Sequence, residues 1–453
     1  MFSPKLFRSS LDLNFLWIQR ELFLNILPTL RPLLGGNEKI YEFGWIMRVR
    51  GIAMLKRIYL LPPFLILFIL LALWPVSTPT PYLEHHDSYT LVEYSFSRID
   101  DVKISNGVIV RSGGKAYLIG NGSIQGYRVG NEKILGSVGN YLVTYLNYKV
   151  HVKRPKGFIL NDKWSKSLKL RNSVAVGEDF IVMAEHDYKD LKVNVFFYFP
   201  ENGETKEYSF KSDRKGTVPK VAAKGKYAII GVPYTWRLYY FKEGKLLWEG
   251  SLPVECGYED YPHFSLHVEE NGTGYAISSE GKALAYFNEG GFRSMGINEG
   301  YCLQFSGEEE NVTTINAAVV FDNCFAALVW YKGLEDALYF YNMSSAYHIE
   351  NFTFKAETPL KLVTSSEYLL AHYENYTSIF DCNGEVLRID EHYDEGYPFG
   401  DDFLLVRYGG ETTLHLPLTN RTYRLDGVKI VGTAGGKIIG VRGNQLITLI
   451  LKE

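Results

Sequence analysis

From residue 89 onward the chain alternates short apolar runs with glycine-centred breaks, and within many runs apolar and polar side chains exchange places at every second residue. That period belongs to β-strands with one face packed and one face wet, not to helices. The clearest stretch is residues 225–250, GKYAIIGVPYTWRLYYFKEGKLLWEG. It predicts three strands, with Lys242-Glu243-Gly244-Lys245 as the hairpin turn between the last two.

An aromatic residue followed by a turn recurs at FPENGE (Phe199), FKEGK (Phe241), FNEGG (Phe287), FYNMSS (Phe340) and FDCNGE (Phe380), at spacings of 42, 46, 53 and 40 residues. A repeat of about 40 to 50 residues in an all-β chain predicts a β-propeller, whose four-stranded blades bury their faces only against neighbouring blades. Weaker copies of the unit occupy 107–127, 140–160 and 401–425. The final stretch, 428–453, supplies only three strands, and 89–96 (YTLVEYSF) is a strand without a partner; pairing the two closes the ring and leaves no long edge exposed. A literal count gives eight full units and this shared one. Because nine blades are unusual, the expectation is eight four-stranded blades, with seven as the alternative.

A different pattern precedes the repeats. Residues 58–76 form an uncharged run rich in Leu, Ile and Phe, long enough at about 1.5 Å per helical residue to cross a bilayer, with Pro62 and Pro63 as a kink point. Arg48, Arg50, Lys56 and Arg57 all lie before it, which places the N-terminus in the cytoplasm and the repeats outside. The expected organisation is therefore an N-terminal cytoplasmic segment at 1–53, a transmembrane signal anchor at 54–76, a stalk at 77–88 and an extracytoplasmic propeller at 89–453. A cleaved signal peptide is the rival, although its apolar core is normally shorter. Residues 1–53 have a second reading, translation from Met54 or Met47, because the segment 48–51 (RVRG) can be encoded as a purine-rich ribosome-binding sequence.

Topology changes how the remaining chemistry reads. Seven N-x-S/T triplets, at Asn121, Asn271, Asn311, Asn342, Asn351, Asn375 and Asn420, all follow the anchor, where glycan would be added. The four cysteines, Cys256, Cys302, Cys324 and Cys382, also lie there. An even number in an oxidising compartment predicts two disulfides, and Cys256–Cys302 with Cys324–Cys382 is preferred of the three pairings because each would join neighbouring repeats. A net charge of −3 gives no sign of a nucleic-acid surface.

Gly244-Lys245-Leu246-Leu247-Trp248, following an aromatic strand, resembles the turn of quinoprotein-like (PQQ-repeat) propeller blades, a family of quinone-dependent dehydrogenases and outer-membrane assembly scaffolds. The resemblance implies a propeller. The dehydrogenases carry adjacent cysteines against the quinone and no two cysteines adjoin here, so no cofactor is expected.

Two acidic stretches are candidate sites. In residues 390–402 the oxygen ligands Asp390, Asp394, Asp401 and Asp402 could hold Ca2+, without the order of a calcium loop. In 256–267, Glu259, Asp260 and His263 could bind a sugar or act as an acid/base pair on an inter-blade loop. No nucleophile elbow, zinc-protease helix, Walker loop or dinucleotide fingerprint occurs. The expectation is a membrane-anchored binding or scaffolding module for protein or glycan rather than an enzyme; the alternative is a glycan-active hydrolase or lyase using those carboxylates.

Overall fold

The computed structural model describes residues 78–452, apart from 121–122, 156–161, 168–172, 188, 213–217, 234, 253–263, 279–282, 297–313, 322–323, 331–336 and 343–351. The anchor expected at 54–76 lies outside these residues. No helix among the described residues is long and apolar enough to cross a membrane.

The chain forms nine antiparallel sheets. Eight are built from consecutive strands and are numbered here as blades 1 to 8, at 101–128, 133–167, 174–211, 220–251, 264–296, 314–356, 361–389 and 395–425. Blade 9 combines both ends of the described chain: Lys429–Ala434, Lys437–Arg442 and Gln445–Leu451 are followed in the sheet by Tyr89–Ser95. The unpartnered N-terminal strand thus closes the ring. Pro81–His85, within the segment read as stalk, pairs beyond it as a fifth strand.

Nine blades, not eight, is a correction to the expected count. The weak repeats at 107–127, 140–160 and 401–425 each belong to a complete four-stranded sheet. Backbone ladders and two-residue turns build a blade without the aromatic signature, so the literal count is the right one. The signature itself marks one place: Phe199, Phe241, Phe287, Phe340 and Phe380 all lie in the third strand of blades 3 to 7.

Packing follows from the two-residue period. In Lys192–Phe199 of blade 3, Val193, Val195 and Phe197 point into a core shared with blade 4, whereas Phe196 and Tyr198 point into one shared with blade 2. Middle strands are therefore apolar on both faces, as in Tyr227–Val232, which is buried throughout. Each fully buried aliphatic or aromatic side chain here stabilises the interface by about 1.5–3 kcal/mol. Aromatic pairs continue the pattern: Phe197 meets Phe241 with ring centroids 4.9 Å apart, Phe340 meets Phe380 at 5.1 Å, and Tyr286 stacks on Phe325 at 5.3 Å.

The tryptophans pack blades together. Trp164 stacks on Tyr198 at 4.4 Å, Trp236 meets Phe264 edge-on at 5.2 Å, and Trp248 donates its indole N–H to the Asn288 carbonyl at 2.9 Å while stacking on Phe292. The turn at Lys242–Lys245 is a two-residue hairpin in which both Glu243 and Gly244 have positive φ, 49° and 68°. Its twist matches the flanking strands. The disulfide Cys324–Cys382, Cα atoms 5.7 Å apart, joins blade 6 to blade 7 as expected; Cys256 and Cys302 lie outside the described residues.

Candidate functional site

Every innermost strand runs in the same sense along the central channel, so the two ends of the ring differ. The starts of these strands, the connections from one blade to the next and the turns between second and third strands share one end, here the entrance. The first turn and the third turn of each blade share the other, the exit.

Lysines collect at the entrance. Lys133, Lys220, Lys361 and Lys429 are each the first residue of the innermost strand, in blades 2, 4, 7 and 9, and Lys103 lies two residues past the start of that strand in blade 1. Each is followed by an aliphatic residue, as in Lys133-Ile134, Lys220-Val221 and Lys429-Ile430. That recurrence was a readable signal, but net charge conceals it because acids elsewhere balance the lysines.

Between the innermost strands of blades 1 to 4 these side chains border a cavity of about 470 Å³, lined by Lys103, Lys133 and Lys220 with Leu135, Val174, Ala175 and Val176. The Lys103 ammonium donates to the carbonyl oxygens of Leu135 and, at 3.4 Å, Ile134, which holds it against the neighbouring blade. Burial, reinforced by the charge of Lys133 and opposed by Asp101, holds its pKa below the usual lysine value.

The other side of the entrance is more balanced. Glu395, the first residue of the innermost strand of blade 8, accepts hydrogen bonds from the hydroxyls of Tyr397 and, at 3.2 Å, Tyr408. Burial and this carboxylate push the Tyr408 hydroxyl up to about 12 and raise Tyr397 as well. Lys361 lies 5.9 Å from the Tyr397 ring centroid. At the exit, the Asn106 amide donates to the carbonyls of Ser137 at 2.9 Å and Gly177 at 2.6 Å, tying together blades 1, 2 and 3.

The acids expected to form one cation site are divided between the two ends. Asp390 and Asp394 precede the strand Glu395–Phe399, and Asp401 and Asp402 follow it, separated by a strand of roughly 17 Å. Asp390 pairs with Arg388 at 2.9 Å, and Asp394 accepts the Tyr408 backbone N–H at 2.7 Å. Asp402, 6% exposed, accepts from the backbone N–H groups of Phe403, Leu418 and Thr419 and from the Thr419 hydroxyl. It holds the last turn of its own blade. Among the described residues no three His, Cys, Asp or Glu side chains gather as a metal site.

Glu259, Asp260 and His263 lie outside the described residues, as do Asn121, Asn311 and Asn351. Asn271 and Asn420 occupy turns at the exit end, Asn342 is the last residue of the strand Ala337–Asn342 that ends there, and Asn375 lies in a turn at the entrance.

The sequence matches no protein-family model and no curated protein, so no PQQ-repeat family is shown. Among solved structures it is similar to apo AztD from Citrobacter koseri (10% identity, 81% of this chain and 99% of that one, TM-score 0.38) and to the WD40 domain of SCAP from fission yeast (8% identity, 82% and 98%, TM-score 0.38). The class is defined by the sheets themselves: a closed all-β propeller of nine blades, a fold consistent with a binding or scaffolding module.

Proposed function

We propose that this chain is a binding or scaffolding module held at the outer face of a membrane by a helix over 54–76, presenting the entrance end of its ring to a protein or glycan. The observation that carries this reading is the concentration of features at one end. Lys133, Lys220, Lys361 and Lys429 open the innermost strands of four blades there, and the cavity bordered by Lys103, Lys133 and Lys220 lies among them. Loops and strand ends on a rigid scaffold are where recognition residues accumulate. Of the four described sequon asparagines, Asn271, Asn342 and Asn420 fall at the opposite end, so glycan on them would leave the entrance open. The PQQ-like turn of blade 4 supports the blade architecture and no quinone chemistry.

The test is site-specific photocross-linking on intact cells, with the reactive group placed at Lys361 or Glu391 at the entrance and at Asn202 or Asn383 at the exit. A discrete adduct, identified by mass spectrometry, is expected from the entrance positions alone. Adducts from the exit alone would overturn the assignment of the recognition face. Intact-mass measurement on protein from native membranes checks the anchor and the glycans together.

A further inference from the structure

We propose that the cavity between blades 1 and 4 binds an oxyanion group carried on a small organic acid or on a single anionic sugar residue. This deepens the reading of the entrance as the recognition end and rests on it.

Three cationic side chains from three separate blades border one cavity, Lys103, Lys133 and Lys220. Among the described residues no ion pair involves Lys133 or Lys220, and the carboxylate that acts on Lys103 is the single one of Asp101. Burial first, and then the positive charge of Lys133, lower the basicity of Lys103. A ligand oxygen bearing negative charge offsets these positive charges and gains charge-assisted hydrogen bonds. Lys103 is already fixed by the carbonyls of Ile134 and Leu135, so part of the ordering cost is met before the ligand arrives.

The remaining wall indicates what carries the charge. Leu135, Val174, Ala175 and Val176 offer apolar surface beside the lysines. At about 470 Å³ the cavity falls within the range of roughly 300–1,000 Å³ typical of small-molecule sites, more room than a bare inorganic ion fills. A carboxylate, sulfate or phosphate attached to a carbon skeleton fits both features.

The experiment is titration calorimetry on the full-length protein in detergent, with citrate, glucuronate and neutral glucose as probes, at low and at high ionic strength. Citrate, glucuronate or both are expected to bind, more weakly as salt rises, and glucose is not. Citrate without glucuronate assigns the site to free organic acids; glucuronate binding assigns it to anionic sugars. The double substitution Lys133→Ala with Lys220→Ala is expected to weaken binding roughly tenfold or more, while Lys245→Ala, exposed at the exit end, leaves it unchanged. Should the alanine pair fail to fold, Lys133→Gln with Lys220→Gln keeps the side-chain stems and removes the charges. No binding of either anion to the wild-type protein, or binding indifferent to these pairs, overturns the proposal. Cross-linking at the entrance would survive that failure, and anion binding would survive cross-linking confined to the exit, so the two readings fail separately.

Discussion

The Arg442 guanidinium donates to the Glu93 carboxylate across 349 positions of sequence. Glu93 is 8% exposed and also accepts the Gln445 side-chain amide at 3.1 Å. Both donors belong to blade 9, and Glu93 belongs to the N-terminal strand that completes it. The ring is therefore fastened by one ladder of backbone bonds and one carboxylate with two donors.

Closure should be sensitive to that carboxylate. Glu93→Ala leaves both donors without their acceptor and is expected to lower stability by about 1–2 kcal/mol, discounted for the partial exposure of Arg442. Urea unfolding followed by tryptophan fluorescence measures it. Removing residues 78–95 should cost far more, because it exposes the edge of Gln445–Leu451; an unchanged midpoint after that truncation would refute closure by this strand.

The disulfide offers a second test. Cys324 and Cys382 are 58 positions apart, and in the chain-entropy model a loop of that size is worth roughly 4 kcal/mol before native-state strain is deducted. Replacing both cysteines by serine should lower the unfolding midpoint, and reductant should lower that of the wild-type protein. The result to expect from the double variant is a midpoint independent of reductant only if the remaining pair, Cys256 and Cys302, forms no bridge.

Asp402 is structural in this fold, and its substitution separates that role from cation binding. Asp402→Ala leaves three backbone N–H groups and a hydroxyl without their acceptor and should cost about 2–4 kcal/mol. The loss should be the same in Ca2+ and in chelator. A midpoint that depended on Ca2+ in the wild-type protein and not in the variant would restore the ligand role.

His372 gives the fold a pH dependence. It lies in the second strand of blade 7, 6% exposed, with Nδ1 3.2 Å from the Thr377 hydroxyl and Nε2 without a hydrogen-bond partner among the described residues. Burial first, then the charges of Lys361 and His392, hold its pKa down to about 4. Between an unfolded value of about 6.5 and this folded one, the unfolded chain binds the proton more readily, so stability falls as pH drops through that window. The loss should be on the order of 2–3 kcal/mol by the bottom of the window. His372→Phe should flatten this part of the profile, read from thermal midpoints over the same pH range.

The sequence by itself determined the strands, their blade-sized period and the way the ring closes. The strands and their period are local: alternation of side chains along 192–199 and the hairpin turn at Glu243-Gly244 can each be read within a few residues, whereas closure was legible because an N-terminal strand lacks a partner and the last repeat is one strand short. It also held the correct blade number in its literal count, which only an expectation about common propellers displaced. The preferred partner of Cys324 was legible for the same reason, since neighbouring repeats must be neighbours in space.

What the tertiary structure alone decided is which distant residues share an end of the channel. Asp390, Asp394, Asp401 and Asp402 are close in sequence, yet a strand spends its length between them and separates them. Lys103, Lys133 and Lys220 are far apart in sequence, yet each lies in an innermost strand and all three border one cavity. In a propeller, proximity along the chain is used up within a blade. Sites at the channel mouth are assembled across blades, by residues at corresponding positions of the repeat, and only the closed ring brings them together.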